Sequence, residues 1–145
     1  MAYVRYRTEE GEARLGDLRI LVVDDHVDFR RIVAQWLAVL TGVTRVDGAG
    51  SGAEALNLAE RAAPDLVVTD LNMPAMDGLE LTRRMKSRRN PPVVVIMTSM
   101  KDAKLDRQAQ AVHADCAFDK YNLQEDLPAF MRKRFGVGKA RRKAA

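Results

Sequence analysis

The chain has 145 residues, with 24 Lys plus Arg against 20 Asp plus Glu and a formal charge of +4. Apolar residues make up 47% and charged residues 30%, which excludes a disordered chain and suits one globular domain. The single cysteine, Cys116, excludes an internal disulfide. The longest apolar run, Val93 to Met97, falls far short of the ~20 residues that span a bilayer. Met1 to Arg19 has no apolar stretch of the kind a secretory leader needs, so a soluble cytoplasmic protein is expected.

Two kinds of segment alternate along the chain. Leu18 to Val23 is a short β-branched-rich run ending in acid, as a buried parallel strand would be. Phe29, Ile32, Val33, Trp36, Leu37 and Leu40 then follow a helical series that places all six on one face, with Thr41-Gly42 as the stop. Val43 to Asp47 reads as an edge strand because it carries Arg45 and Asp47. Gly52 to Ala63 reads as a helix ended before Pro64, and Asp65 to Asp70 as another apolar strand ending in acid. The loop Asn72 to Gly78 leads into a helix carrying Leu81 and Met85. Pro91-Pro92 breaks the chain before the strand Val93 to Thr98. A thinner helix, Asp102 to Val112, and a fifth strand, Asp115 to Asp119, follow. The last helix is predicted from about Asp126 to Phe135, with Pro128 in its first turn.

This order is (βα)₅. Helical crossovers make the strands parallel, and their right-handedness puts helices on both faces of one sheet. The fold expected is a doubly wound α/β domain over residues 18–135, with an N-terminal extension (1–17) and a basic C-terminal tail (136–145), taken to be disordered.

In an open parallel sheet the ligand crevice lies beyond the carboxyl ends of the strands. Those ends carry Asp24-Asp25, Asp70, Thr98-Ser99 and Asp119-Lys120. Crowded carboxylates repel and force one another to protonate unless a cation intervenes. Oxygen ligands with water in the remaining positions suit Mg²⁺ better than Zn²⁺. A carboxylate nucleophile, a metal, a Lys and a Thr together describe an aspartyl-phosphate site.

These residues resemble the receiver domains of two-component response regulators, in particular the stand-alone, chemotaxis-receiver-like kind. Leu21-Val-Val-Asp-Asp25 is similar to that family's first strand and acidic pair. Leu66 to Gly78 is similar to its phosphoacceptor strand and loop, Ile96-Met-Thr98 to its hydroxyl position, and Phe118-Asp-Lys120 to its lysine position. The resemblance implies a flavodoxin-like strand order 2-1-3-4-5. It implies Asp70 as the acceptor of a phosphoryl group from a histidine kinase or histidine phosphotransfer protein. It also implies Mg²⁺ held by Asp25 directly, by Asp24 largely through water, by Asp70 and by the backbone carbonyl of Asn72. Thr98 and Lys120 would bind phosphoryl oxygens and report phosphorylation through the fourth helix, fifth strand and fifth helix to a downstream protein. Such a chain is not an enzyme on other molecules, although it catalyses its own Mg²⁺-dependent phosphorylation and dephosphorylation.

Four positions depart from the family pattern, among them Ser99, which is slightly larger than the very small residue usual after the hydroxyl and is expected to narrow access to Asp70. Tyr121 follows Lys120 where Pro is usual, so a rearranged loop or a plain trans bond is expected there. Ala117 replaces the ring that usually swings inward, with Phe118 beside it. Met100, two residues after Thr98, cannot hold a hydrolytic water, so a long-lived phosphoaspartate is expected. These departures keep a second reading open, that of a non-switching pseudo-receiver acting as an interaction module.

Other features carry plainer expectations. His26 reads as a rim residue beginning the first helix, His113 as a helix-end surface residue, and Cys116 as a small core hydrophobe. Gly48-Ala-Gly50-Ser-Gly-Ala53 fits a dinucleotide fingerprint formally, but its strand is polar and it leaves Asp24, Thr98 and Lys120 unexplained. Asp70-Leu-Asn72 lacks the second acid of a haloacid dehalogenase-type phosphatase. The basic tail, Lys139 to Lys143, has no aromatic or base-reading side chain, so specific nucleic-acid binding is not expected. That tail carries +4 while residues 18–135 sum to only +1, so the net charge describes the tail and conceals the acids of the crevice.

Overall fold

The computed structural model describes residues 17–136, together with the backbone of two short strands before them. Those strands, β1 (Arg5–Thr8) and β2 (Gly11–Arg14), pair antiparallel with Arg5 opposite Arg14 and Thr8 opposite Gly11. The extension thus contains a hairpin that its sequence did not announce. The basic tail lies outside the described residues.

The main sheet comprises β3 (Leu18–Val23), β4 (Val43–Ala49), β5 (Leu66–Asp70), β6 (Val93–Thr98) and β7 (Cys116–Asp119). All neighbours are parallel and the order is β4-β3-β5-β6-β7, the expected 2-1-3-4-5 for a doubly wound flavodoxin-like α/β domain. The helices are α1 (Val27–Ala38), α2 (Gly52–Ala62), α3 (Gly78–Lys86), α4 (Ala103–Ala111) and α5 (Leu123–Phe135). A 3₁₀ turn, Lys120–Asn122, runs directly into α5.

Strand alternation divides the core between the two faces. Ile20 and Val22 of β3 pack with Val33 and Leu37 of α1 and with Leu123, Leu127 and Met131 of α5. Leu21 and Val23 turn the other way, toward Ala55 and Ala59 of α2 and Leu81 and Met85 of α3. Leu105 and Ala109 of α4 cover Ile96 and Ala117 further along that second face. At roughly 1.5–3 kcal/mol for each large side chain buried, these layers hold the strands together and so fix the positions of their ends.

Local chemistry starts the helices where the loops must turn. Ser51 Oγ accepts from Glu54 N–H at 3.1 Å, Asp77 Oδ1 from Glu80 N–H at 2.8 Å, and Asp102 Oδ1 from Leu105 N–H at 2.8 Å.

Three sequence expectations are corrected. Ile32 is 59% exposed and lies off the core face of α1, while Phe29 and Trp36 are only half-buried at its margin. The strand β4 continues to Ala49, because it can pair with the whole of β3. The last helix begins at Leu123, three residues early, which puts Pro128 in its second turn. There Pro128 is buried, and Leu123 and Leu127, on the same helix, pack into the core; that packing offsets the hydrogen bond that Pro128 cannot donate. Cys116 is half-buried against the core, and burial pushes its thiol pKa up, as an unreactive packing residue requires.

Candidate functional site

Two strands deliver three acids to one end of the sheet. Asp24 follows β3 and is fully buried; Asp70 ends β5 and is 4% exposed; Asp25 sits beside Asp24 with its side chain 29% exposed. Lys120, immediately after β7, reaches across the sheet. Its Nζ lies 3.0 Å from Asp24 Oδ2 and 3.2 Å from Asp70 Oδ1. Thr98 ends β6, one residue beyond the partner of Asp70 in the ladder, and is buried. Its Oγ1 accepts from Met100 N–H at 3.2 Å, which fixes the oxygen while leaving the hydroxyl proton free to donate elsewhere. Asn72 is exposed in the loop after β5.

The electrostatics follow from this crowding. Burial raises the Asp70 carboxyl above its ordinary range, and the Asp24 charge raises it further; Lys120 opposes both without cancelling them. Asp24 Oδ1 accepts from His26 N–H at 2.9 Å. Asp25 Oδ1 is buried and has no hydrogen-bond partner. Candidate ligand atoms of Asp24, Asp25, His26 and Asp70 all lie within 4.8 Å of one another, the one such group among the described residues. Buried acids with one lysine between them, and an orphaned carboxylate oxygen, fit a divalent cation bound mainly by oxygen.

Several residues that support the site do not stand out from the sequence. Arg30, one turn into α1, donates from Nη1 to the Asp24 carbonyl at 2.7 Å and so fixes the strand end from behind. Lys120 Nζ lies 4.5 Å from the centroid of the Phe29 ring, a cation–π contact that helps hold the ammonium over the acids. Gly78, the first residue of α3, donates to Leu71 C=O at 2.7 Å. A Cβ there would collide with the Asp70 carbonyl oxygen and lie 3.0 Å from Leu71 Cα, so only glycine lets α3 start against the acceptor strand. Phe29 read as a core residue because hydrophobic periodicity cannot see a lysine ninety residues away. Arg30 had one signal: a cation one turn after an acidic pair.

The remaining sequence candidates sort clearly. Of the dinucleotide-like glycines, Gly48 lies on the edge strand and Gly50 just after it, and the Arg30 side chain occupies the space beside both, at 3.3 and 3.1 Å from where their Cβ atoms would be. His113 is an exposed residue just past α4, as expected. No peptide bond among the described residues is cis, so the one before Tyr121 is trans. Tyr121 is 84% exposed, and Asp119 Oδ1 accepts its N–H at 2.9 Å. Ala117 is buried under α4, while Phe118 faces α5 and meets the Phe130 ring edge-on at 5.8 Å. No described helix is long and apolar enough to cross a membrane.

Comparisons with known proteins agree with this geometry. The family model for the response regulator receiver domain matches residues 20–132. Response regulator GacA of Pseudomonas aeruginosa is 37% identical over 113 residues, covering 77% of this chain and 53% of that protein. Protein-glutamate methylesterase/protein-glutamine glutaminase 4 of Myxococcus xanthus is 44% identical over 81 residues, 56% of this chain and 23% of that protein. The chain therefore spans about a quarter to a half of these curated relatives. The chemotaxis protein CheY4 of Vibrio cholerae superposes with a TM-score of 0.70 at 29% identity, covering 79% of this chain and 97% of that one. With its strand order, its acid-lined crevice and a family match over most of its length, the chain belongs to the response regulator receiver domain family of two-component signal transduction.

Proposed function

We propose that Asp70 accepts a phosphoryl group from the phosphohistidine of a histidine kinase or histidine phosphotransfer protein. The observation that carries this reading is Lys120 Nζ within 3.2 Å of two buried carboxylates, with Asp25 Oδ1 left unserved beside them. In the transfer, an Asp70 carboxylate oxygen forms a bond to phosphorus as the phosphorus–nitrogen bond breaks. The imidazole of the donor leaves with that electron pair. Asp25, Asp70 and the Asn72 carbonyl would hold Mg²⁺ directly and Asp24 largely through water, and the ion would supply positive charge for the phosphoryl oxygens. Lys120 exchanges a carboxylate partner for a phosphoryl oxygen, and the Thr98 hydroxyl donates to another. Burial excludes water from Asp70, which favours attack by the acceptor over hydrolysis of the donor.

Two features support the finer reading. Met100 is 80% exposed and offers no polar group to orient a hydrolytic water, so the phosphoaspartate is long-lived. The signalling surface is the face built by α4, β7 and α5, since Thr98 leads into α4 and Lys120 into α5. Incubation with Mg²⁺ and acetyl phosphate tests the acceptor directly. Wild type gains the mass of one phosphoryl group, Asp70→Asn does not, and the gain persists for minutes or longer without a phosphatase. A wild type that never gains it is a pseudo-receiver, the second reading, favoured by the missing ring at Ala117.

A further inference from the structure

His26 occupies the N-cap position of α1, yet its side chain caps no helix N–H. Instead its ring nitrogen Nδ1 turns back into the crevice, 3.2 Å from Asp24 Oδ1 and 3.4 Å from Asp25 Oδ1. A hydrogen on Nδ1 can serve only one of these oxygens. Asp24 Oδ1 already accepts from the His26 backbone N–H and lies within hydrogen-bond distance of the ring, whereas Asp25 Oδ1 makes no hydrogen bond and has only the ring nitrogen at 3.4 Å. A cation among the three atoms satisfies both oxygens and the nitrogen lone pair together. Resting on the cation site proposed above, we infer that His26 Nδ1 is an additional ligand, which gives the centre one nitrogen donor among its oxygens.

The consequence is a change in metal preference. Mg²⁺ is a hard cation that gains little by exchanging a water for an imidazole. Divalent first-row transition metals accept imidazole readily, with affinity rising from Mn²⁺ through Co²⁺ and Ni²⁺. The His26 ring therefore tilts the site toward this class while leaving Mg²⁺ binding nearly unchanged. The side chain is 71% exposed, so it can swing aside when Mg²⁺ keeps its water and swing in when a softer cation takes its place.

Pulsed EPR of Mn²⁺ added to the metal-free full chain reads the ligand directly. Wild type is expected to show nitrogen coupling from a coordinated imidazole, absent in His26→Ala and retained in His113→Ala; the chain has two histidines, so the pair of variants assigns it. Calorimetric titration of the same proteins is expected to show Mn²⁺ and Co²⁺ affinity falling roughly tenfold or more in His26→Ala, with Mg²⁺ affinity changing less than about threefold. Because His26 contributes no side-chain cap, the variant keeps its fold, which a thermal melt checks. Mn²⁺ that binds without nitrogen coupling, or affinities that fall equally for all three metals, overturns the inference alone. A wild type that binds no divalent cation overturns both it and the proposed function.

Discussion

The same residue type flanks three strands of the sheet at both ends, and the two ends use it differently. Asp17, Asp65 and Asp115 precede β3, β5 and β7, while Asp24, Asp70 and Asp119 follow or end them. At the amino end the acids stand apart and serve the backbone or a neighbour. Asp65 Oδ2 accepts from Arg19 N–H at 2.9 Å; Asp115 Oδ2 accepts from Val94 N–H at 2.8 Å and from Lys86 Nζ at 2.6 Å; Asp17 Oδ1 accepts the Thr44 hydroxyl at 2.7 Å. A cleft of about 640 Å³ also lies at that end, lined by Arg88, Arg89 and Arg134 beside Asp65. At the carboxyl end Asp119 stands apart and is spent on a turn. Asp24, Asp25 and Asp70 converge, with one lysine for two buried carboxylates and one oxygen for no partner. Each end leaves one buried oxygen without a hydrogen bond, Asp17 Oδ2 and Asp25 Oδ1, so a strand-end aspartate is structural where it stands apart from other acids and chemical where three acids crowd around one lysine. Convergence of the acids distinguishes the two cases.

The sharpest way to break this contrast is to remove one acid from each end. Asp70→Asn is expected to abolish phosphorylation completely and yet to melt higher than wild type at about pH 7 without metal. Burial and Asp24 raise the Asp70 carboxyl above its ordinary 3.8, so the folded state holds that proton more tightly than the unfolded chain. Wild-type stability from this group is therefore highest below 3.8 and is lost as pH rises through the raised value. The advantage of Asp70→Asn should shrink as pH is lowered toward about 4, followed by thermal melts in chelator. An equal melting temperature at pH 7 would mean that Lys120 already compensates the buried charge in full.

Gly78→Ala tests the scaffold of the carboxyl end. The new Cβ meets backbone at the acceptor strand, so a loss of about 3 kcal/mol in denaturant unfolding is expected, with phosphorylation impaired as Asp70 shifts. Asp115→Ala is the opposite experiment. It takes the carboxylate from the Val94 N–H and leaves the Lys86 ammonium with the Pro92 carbonyl, for a loss of roughly 1–3 kcal/mol, but should leave the phosphoryl mass gain intact. A loss of phosphorylation at unchanged fold would show that the two ends are coupled. The smallest effect belongs to Ala75, held at φ 67° in the loop between Asp70 and α3. Ala75→Gly removes the steric cost of that left-handed conformation and should stabilise by about 0.5–1 kcal/mol, read as a raised denaturation midpoint.

Much of this molecule is legible in the chain alone. Alternation of β-branched runs with helical stripes yields the (βα)₅ succession and parallel strands, the strand order follows from the resemblance to receiver domains, and Asp24, Asp25, Asp70, Thr98 and Lys120 emerge simply as the residues at carboxyl strand ends. Both inferences work because period and topology are local or nearly so: strand and helix signals need only a few residues, and handedness supplies the rest. The start of α5 was misjudged because Pro128 reads as a first-turn residue, whereas packing of Leu123 and Leu127 extends the helix past that preference. Ile32 was misassigned because a six-residue apolar stripe is wider than the strip of α1 that the sheet can cover.

Tertiary structure alone decided how these groups meet. Lys120 over Phe29, Arg30 behind Asp24, Gly78 against Asp70 and the His26 ring beside two carboxylates each join residues or orientations that no spacing rule specifies. The sequence determined which acids stand at which strand ends. Folding determined which of them are satisfied, because hydrogen bonds and charge compensation depend on distances of a few ångströms between elements, and those distances exist only once the sheet and its helices have packed.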